Sequence, residues 1–220
     1  KRAIPWSNLY IDIGATSKEE AKKLVDLGDY AIFNTNYQQL GINHAKGKAF
    51  NSRIGCTALI EILKNDFDFT IFAVFSVQKE VGLRGAARAA YEIDPYLAIV
   101  LDSTSASDVT ESKKYDYSVS IDNGPAFTVI DNSVISDKSI LENLINTAKE
   151  ENIPYQIKGS NNEYSDAGEI NLSKEGIPTA VISIPCRYMN TPVSLISLKD
   201  YENYKNLLKK YLLNLTKEEL

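Results

Sequence analysis

Histidine and cysteine are scarce in this chain of 220 residues, which contains one histidine, His44, and two cysteines, Cys56 and Cys186. Two cysteines are too few for a disulfide framework and are consistent with a reducing compartment. Because the cysteines have apolar neighbours, we expect two buried thiols. His44 lies in a polar stretch, and we expect it on the surface.

Long apolar runs and an excess of positive charge are also absent. The longest apolar run, residues 69–77, is far shorter than the ~20 residues of a membrane helix, and no signal pattern precedes it. The formal net charge of −5 argues against nucleic acid, which requires clustered Lys and Arg. The sequence therefore predicts a soluble, cytoplasmic protein with no nucleic-acid or membrane partner.

Apolar runs typical of strands alternate with helical segments over most of the chain. The runs at 70–77 and 97–101 are rich in Ile, Phe, Val and Leu, which predicts strands buried on both faces. Helical periodicity is found at 54–64, 85–91, 136–151 and 201–215. This alternation predicts an α/β fold with a largely parallel mixed sheet sandwiched by helices.

The N-terminal part has a different pattern. Strands are predicted at 9–13 and 30–33, with a helix at 18–27 between them, and a polar stretch follows. We therefore expect a small N-terminal domain over residues 1–45 and a main domain over residues 46–220.

Two acidic residues follow the two buried strands. Glu80 and Asp102 are expected at neighbouring strand ends, where α/β sheets place their chemistry. The alternative is that both are helix caps or solvated loop charges.

Several motifs resemble one enzyme family when they are taken together and in order. They are Gly47-Lys-Ala-Phe-Asn-Ser-Arg-Ile-Gly-Cys56, Val77-Gln-Lys-Glu-Val-Gly-Leu-Arg-Gly-Ala86 and Ile182-Ser-Ile-Pro-Cys-Arg-Tyr-Met-Asn-Thr-Pro192. Together they resemble metallopeptidase family forty-two, the glutamyl aminopeptidases, tetrahedral aminopeptidases and endoglucanase-M type proteins. The resemblance covers essentially the whole chain.

The resemblance implies a zinc aminopeptidase-like fold and a site in which two divalent metals and a carboxylate base activate water. On this sequence, the position of the bridging aspartate is Asn51 and that of the general base is Lys79. The late histidine ligand is replaced by Asn190, and the earlier His-x-Asp motif is missing. Glu80 and Asp102 match retained metal ligands.

The substituted residue types are unsuited to that chemistry. An amide offers one neutral oxygen and cannot hold two dications together, and it is a poor zinc ligand beside imidazole or thiolate. An ammonium cannot act as a base at neutral pH and brings positive charge to a cation site. We therefore expect no cofactor, or at most a divalent zinc or cobalt ion held weakly by Glu80 and Asp102.

Lys79 has a predicted structural role instead. Without metals, Glu80 and Asp102 would repel each other in a half-buried pocket, and a nearby ammonium would relieve the repulsion. We predict that Lys79 pairs with Asp102 or Glu80. The alternative is that Lys79 points into solvent.

The resemblance also implies that the chain begins inside an inserted β domain used for dimerisation, so residues 1–45 would be a remnant of that domain. A homo- or hetero-oligomer is then expected. Asp166, Arg187 and Tyr188 are candidates to line a cleft. The alternative for Arg187 and Tyr188 is equally packing and capping, and the alternative for Asp166 is an N-cap for the segment that follows.

The functional prediction is an aminopeptidase-like protein that has lost hydrolytic activity and acts through binding or assembly with a peptide or protein partner. One alternative is an active metallo-aminopeptidase. Another is a glucanase-type glycosidase, in which Glu80 and Asp102 would be the pair of carboxylates.

Overall fold

A computed structural model describes residues 4–110, 112, 118–159 and 163–215. The chain divides into two compact units, Lys1–Asn34 and Thr35–Leu220. The second unit begins earlier than the expected boundary after residue 45, because a hairpin in the predicted polar stretch belongs to the main sheet.

The first unit contains little regular structure. It has a 3-10 turn, Trp6–Asn8, and a single helical turn, α1, Lys18–Ala21. Helix α1 begins where the Ser17 hydroxyl accepts a hydrogen bond from the Glu20 N–H at 3.1 Å.

The predicted strands at 9–13 and 30–33 are not formed, and the helix predicted to reach residue 27 ends at Ala21. A strand is stable only in a ladder with a partner, and residues 4–34 supply none. Large apolar side chains are left exposed as a result, including Tyr10, Leu27 and Tyr30.

The second unit is built on a seven-stranded sheet. Its strands are β1 Gln38–Leu40, β2 His44–Gly47, β3 Ala98–Ser105, β4 Ala126–Thr128, β5 Gln156–Lys158, β6 Thr179–Arg187 and β7 Ser194–Ser197. Strand β6 is central: β3 runs along one side of it, and β4 and β7 share the other side. The path continues from β7 to β2 and β1, and from β4 to β5.

The sheet is mixed, and the prediction that it is largely parallel is wrong. Only β3 with β6 and β4 with β5 are parallel pairs, whereas the other four described pairings are antiparallel. Short turns join β1 to β2 and β6 to β7, and a short connection permits only antiparallel pairing.

Helices cover both faces of the sheet, as predicted. They are α2 Phe50–Ile62, α3 Arg84–Ile93, α4 Lys138–Glu150, α5 Ala167–Asn171 and α6 Leu198–Asn214. The four longer helices confirm the predictions from periodicity, and α5 was not predicted. None of the helices in the described part of the chain is long and apolar enough to cross a bilayer.

Neighbouring residues of β6 show how the core is divided. Ile182 packs in a cluster with residues of α2, α4 and α6, whereas Val181 packs with Val100 and with Ala167 of α5. Successive side chains of a strand point to opposite faces, so the two clusters lie on opposite sides of the sheet. Full burial of a Val or Ile side chain contributes about 1.5–3 kcal/mol to the free energy of unfolding.

The run at 70–77 is not a strand, contrary to prediction. Phe69 and Ile71 pack against the main core, but Phe72 and Val74 are 60% and 41% exposed. A strand needs a hydrogen-bonded partner, and none of the described strand pairings includes residues 70–77, which pack against the core on one side only. The expectation of two buried thiols also fails for Cys56, which is exposed.

Candidate functional site

A cavity of about 440 Å³ opens in the second unit beside β3 and β6. Charged and amide side chains make up most of its polar lining: Asn51, Lys79, Glu80, Asp102, Asp131, Lys158, Glu163, Glu169 and Asn190. The structure therefore brings together five of the eight sequence-predicted site residues: Asn51, Lys79, Glu80, Asp102 and Asn190.

Asp102 and Lys79 form the centre of the site. Asp102 lies on β3 opposite Ser183 of β6 and is only 4% exposed. The Nζ atom of Lys79 donates to both of its carboxylate oxygens, at 2.7 and 2.8 Å. The predicted pairing of Lys79 is thus confirmed with Asp102, while Glu80 is exposed.

A tight turn before α3 places Lys79 beside Asp102. The Lys79 carbonyl accepts N–H bonds from Gly82 and Leu83, at 3.2 and 3.0 Å. Gly85 donates to the Val77 carbonyl, and a Cβ at Gly85 would lie 2.4 Å from that oxygen. Only glycine allows the two backbone segments to approach so closely.

Two amides extend the network from Lys79. Lys79 Nζ also donates to Asn51 Oδ1 at 3.2 Å, and Asn51 Nδ2 donates to Asn190 Oδ1 at 3.1 Å. Asn51 precedes the regular part of α2, which packs so closely on β3 that a Cβ at Gly55 would lie 2.4 Å from the Leu101 carbonyl oxygen.

Two opposing effects act on the Asp102 carboxyl group. Burial raises the pKa of Asp102 above its ordinary value, and the charge and hydrogen bonds of Lys79 oppose that increase. The Ser103 N–H adds a further donor at 2.8 Å. The ammonium and the carboxylate neutralise each other inside the wall of the cavity.

A second ion pair in the wall was missed by sequence reasoning. Lys158, at the end of β5, is 3% exposed and donates to Glu163 at 2.7 Å. Glu163 also accepts from the Thr104 hydroxyl and the Ser105 N–H. Burial opposes ionisation of Glu163, but Lys158 and the other donors outweigh it and lower its pKa to about 2.

Asp131 is a further lining residue that the sequence did not reveal. One of its oxygens accepts from the backbone and hydroxyl of Ser133 and from the Val134 N–H, and the other accepts from the Ser165 hydroxyl. Asp131 therefore braces two loops. The only feature of the sequence that could have indicated Asp131 was its position after a strand, and charged residues are common in loops at such positions.

Three predicted cleft residues do not line the cavity. Asp166 is buried, accepts from the Ser76 hydroxyl at 2.6 Å and makes no capping bond to α5. Arg187 forms a bidentate pair with Asp108 at 3.0 and 2.7 Å, so its guanidinium is engaged away from the cavity. Tyr188 follows it and is 57% exposed.

The side chains of the site do not fit a pair of divalent metals. Lys79 places an ammonium against the one deeply buried carboxylate, and the adjoining positions carry neutral amides. Across the residues that the structure describes, no group of three or more His, Cys, Asp or Glu side chains is arranged to hold a metal ion.

A family model described as M42 glutamyl aminopeptidase matches residues 1–207. The chain belongs to the M42 family. A putative aminopeptidase of Acetivibrio thermocellus is 42% identical over 204 residues, 92% of this chain and 61% of the relative.

Solved structures show the same relationship. A TET aminopeptidase from a marine sediment Thaumarchaeota archaeon is 35% identical with a TM-score of 0.94, covering 100% of this chain and 63% of that one. Pyrococcus horikoshii TET1 peptidase, described as assembling into a tetrahedron or a large octahedral shell, is 30% identical with a TM-score of 0.78, covering 98% and 64%. The chain thus spans about 60% of the length of these M42 proteins.

Proposed function

We propose that this M42 chain is an aminopeptidase-like protein that binds ligands in the cavity without hydrolysing them. The observation that carries the proposal is the contact of Lys79 Nζ with both oxygens of Asp102 at 2.7 and 2.8 Å. An ammonium at this point supplies positive charge without offering a Lewis acid or a base. Lys79 therefore neutralises the charge of Asp102, but it cannot activate a water molecule for hydrolysis.

The charge of the cavity indicates what it would bind. Five acidic side chains and two lysines line it, and Lys79 and Lys158 are each paired with one carboxylate. Asp131 is satisfied by local donors, which leaves Glu80 and Glu169 to interact with a ligand. A positively charged group, such as the amino terminus of a peptide, matches this surplus.

Assembly is the second part of the proposal. Pyrococcus horikoshii TET1 peptidase assembles into a tetrahedron or a large octahedral shell. The unit Lys1–Asn34 of this chain exposes large apolar side chains that a monomer in water would not favour. We propose that the first unit, Lys1–Asn34, derives from a dimerisation-type domain and takes part in a homo- or hetero-oligomer. Light scattering of the purified chain, compared with a variant in which Leu27 and Tyr30 become Ser, tests this.

A cytoplasmic location is also proposed. Cys56 and Cys186 are both free, which suits a reducing compartment. Localisation of a tagged chain by fractionation tests this directly.

Metal content and turnover measured on one sample test the loss of activity. Purified protein is exposed to zinc or cobalt, dialysed and examined by elemental analysis, and release of amino acids from aminoacyl amides is followed. We expect much less than one metal per chain and no turnover. Two metals per chain with turnover would refute the proposal.

A matched variant shows whether the three substituted positions are responsible. The triple variant Asn51→Asp, Lys79→Glu, Asn190→His restores the ligand types that the family pattern requires. We expect it to retain more zinc than the wild-type chain, because it replaces one cation and two amides by two carboxylates and an imidazole. Equal zinc retention by the two proteins would contradict the explanation.

The glycosidase alternative is not supported by the geometry. It needs two carboxylates free to act on either side of a bond, and Asp102 is held by Lys79. An active metallo-aminopeptidase is likewise not favoured, for the reasons of ligand chemistry given above.

A further inference from the structure

We propose that the side-chain NH2 group of Asn190 is the hydrogen-bond donor that recognises an oxygen atom of the ligand. Lys79 determines, through Asn51, that Asn190 presents its NH2 group rather than its oxygen to the ligand. The inference rests on the proposed binding function and adds to it a residue that determines specificity.

The polarity of the network begins at Lys79. An ammonium donates hydrogen bonds and cannot accept them. Its Nζ lies 3.2 Å from the side-chain oxygen of Asn51, so the Asn51 amide must present oxygen to Lys79 and its NH2 group away from it. The charge of Lys79 thereby removes the usual ambiguity between the two ends of an Asn amide.

Asn51 passes the same constraint to Asn190. Its Nδ2 lies 3.1 Å from Asn190 Oδ1, so the oxygen of Asn190 is already used as an acceptor. Within the described part of the chain, Asn190 Nδ2 has no hydrogen-bond partner, and Asn190 is exposed on the lining of the cavity. The end of the network is therefore a donor that faces the ligand space.

The local backbone holds Asn190 in place. It lies in the turn between β6 and β7 with φ of +60°, a conformation that Asn and Asp adopt more readily than most residues. The Thr191 hydroxyl donates to the Tyr188 carbonyl at 2.7 Å across this turn. An Asn190→Asp variant should therefore keep the backbone while replacing the donor by an acceptor.

The ligand chemistry follows from the groups that share the cavity. Asn190 offers a donor, which matches a carbonyl or carboxamide oxygen. Glu80 and Glu169 line the same cavity and have no ion-pair partner among the described residues, which matches a positively charged amine. A ligand with an ammonium next to a carbonyl oxygen would use both.

Two probes separate these contributions. Leucine methyl ester carries both the ammonium and a carbonyl oxygen and has no amide N–H, and 3-methylbutylamine has the same carbon skeleton without the ester group. Calorimetry at pH 7 gives the ratio of their affinities for each protein. We expect the wild-type chain to prefer leucine methyl ester by about three- to tenfold, the range that the net contribution of one hydrogen bond predicts.

The variants test the relay. Asn190→Asp should reduce the preference to about one, as expected for loss of that donor, because both probes benefit alike from the added negative charge. Lys79→Met should reduce it too, because Asn51 is then free to turn over. Asn146→Asp, an exposed position on α4, adds the same charge elsewhere and should leave the ratio unchanged.

The outcomes are distinguishable. Wild-type protein that binds both probes equally would refute the role of Asn190 and leave the proposed binding function standing. A wild-type preference that survives unchanged in Asn190→Asp would also refute it. Wild-type protein that binds neither probe would refute both the proposed function and this inference.

Discussion

Replacing Lys79 by Met should strongly destabilise the second unit. Methionine has a similar length and no charge, so the change removes the ammonium from two contacts of 2.7 and 2.8 Å. Among the residues that the structure describes, Asp102, which is 4% exposed, would keep only the Ser103 N–H as a donor. Breaking one side of a buried ion pair costs about 3–5 kcal/mol, because a charge is left without compensation.

The cost should depend on pH. Burial raises the pKa of Asp102, and loss of Lys79 removes the main influence that opposes this. A carboxyl group whose pKa is raised on folding binds its proton more tightly in the native state, so stability falls as pH rises through the unfolded value towards the folded one. The penalty of Lys79→Met should therefore be largest at pH 7 and smaller at pH 5.

Urea unfolding at both pH values measures the effect. Lys64→Met is the matched control, because Lys64 pairs with Glu61 at 2.6 Å but is 63% exposed, and an exposed pair contributes less than about 1 kcal/mol. Adding Asp102→Asn to Lys79→Met should recover part of the loss, since no buried charge remains. A Lys79→Met protein within 1 kcal/mol of wild type at pH 7 would refute the argument.

Three further predictions concern the same unit. Lys79→Glu should lower the metal-free stability at pH 7 by at least as much as Lys79→Met, because it adds a carboxylate beside Asp102; equal or greater stability than wild type in urea would contradict the pairing. The depressed pKa of Glu163 contributes stability that is present above its ordinary value and lost as pH falls from 4.5 to about 2. That contribution is about 3 kcal/mol, so Glu163→Gln should flatten the acid limb of a stability profile, and an unchanged limb would rule it out. Gly85→Ala should cost about 1–3 kcal/mol in thermal or urea unfolding, since its Cβ would meet the Val77 carbonyl at 2.4 Å, and a neutral change would show that the turn adapts freely.

Much of the site could be predicted because it depends on residue types at motif positions. Asn51, Lys79 and Asn190 are unsuitable for a two-metal centre whatever the detailed geometry. The pairing of Lys79 with Asp102 was predictable for the same reason, because a buried carboxylate needs a compensating charge. The sequence could not predict which end of each Asn amide donates and which accepts, because that depends on which atoms come within about 3 Å of each other.

Other parts of the site depend on contacts between distant segments. Besides Lys158, Glu163 is held by Thr104 and Ser105, which lie 59 and 58 positions away in sequence. Arg187 was expected near the cleft, yet Asp108, 79 positions away in sequence, engages it. A long side chain such as that of Arg187 turns towards the group with which it forms the strongest hydrogen bonds, and spacing in the sequence does not identify that group.

The sequence by itself determined the four longer helices of the second unit, the strand at 97–101 and the chemical character of the candidate site. Those properties follow from local periodicity and from the donors and acceptors that each residue carries. The tertiary structure alone decided that the sheet is mostly antiparallel in its pairings, that 70–77 is packed on one side, and that Asn190 ends the network as a donor. Each of these depends on which segments become neighbours, because strand pairing, burial and hydrogen-bond direction are properties of contacts rather than of single residues.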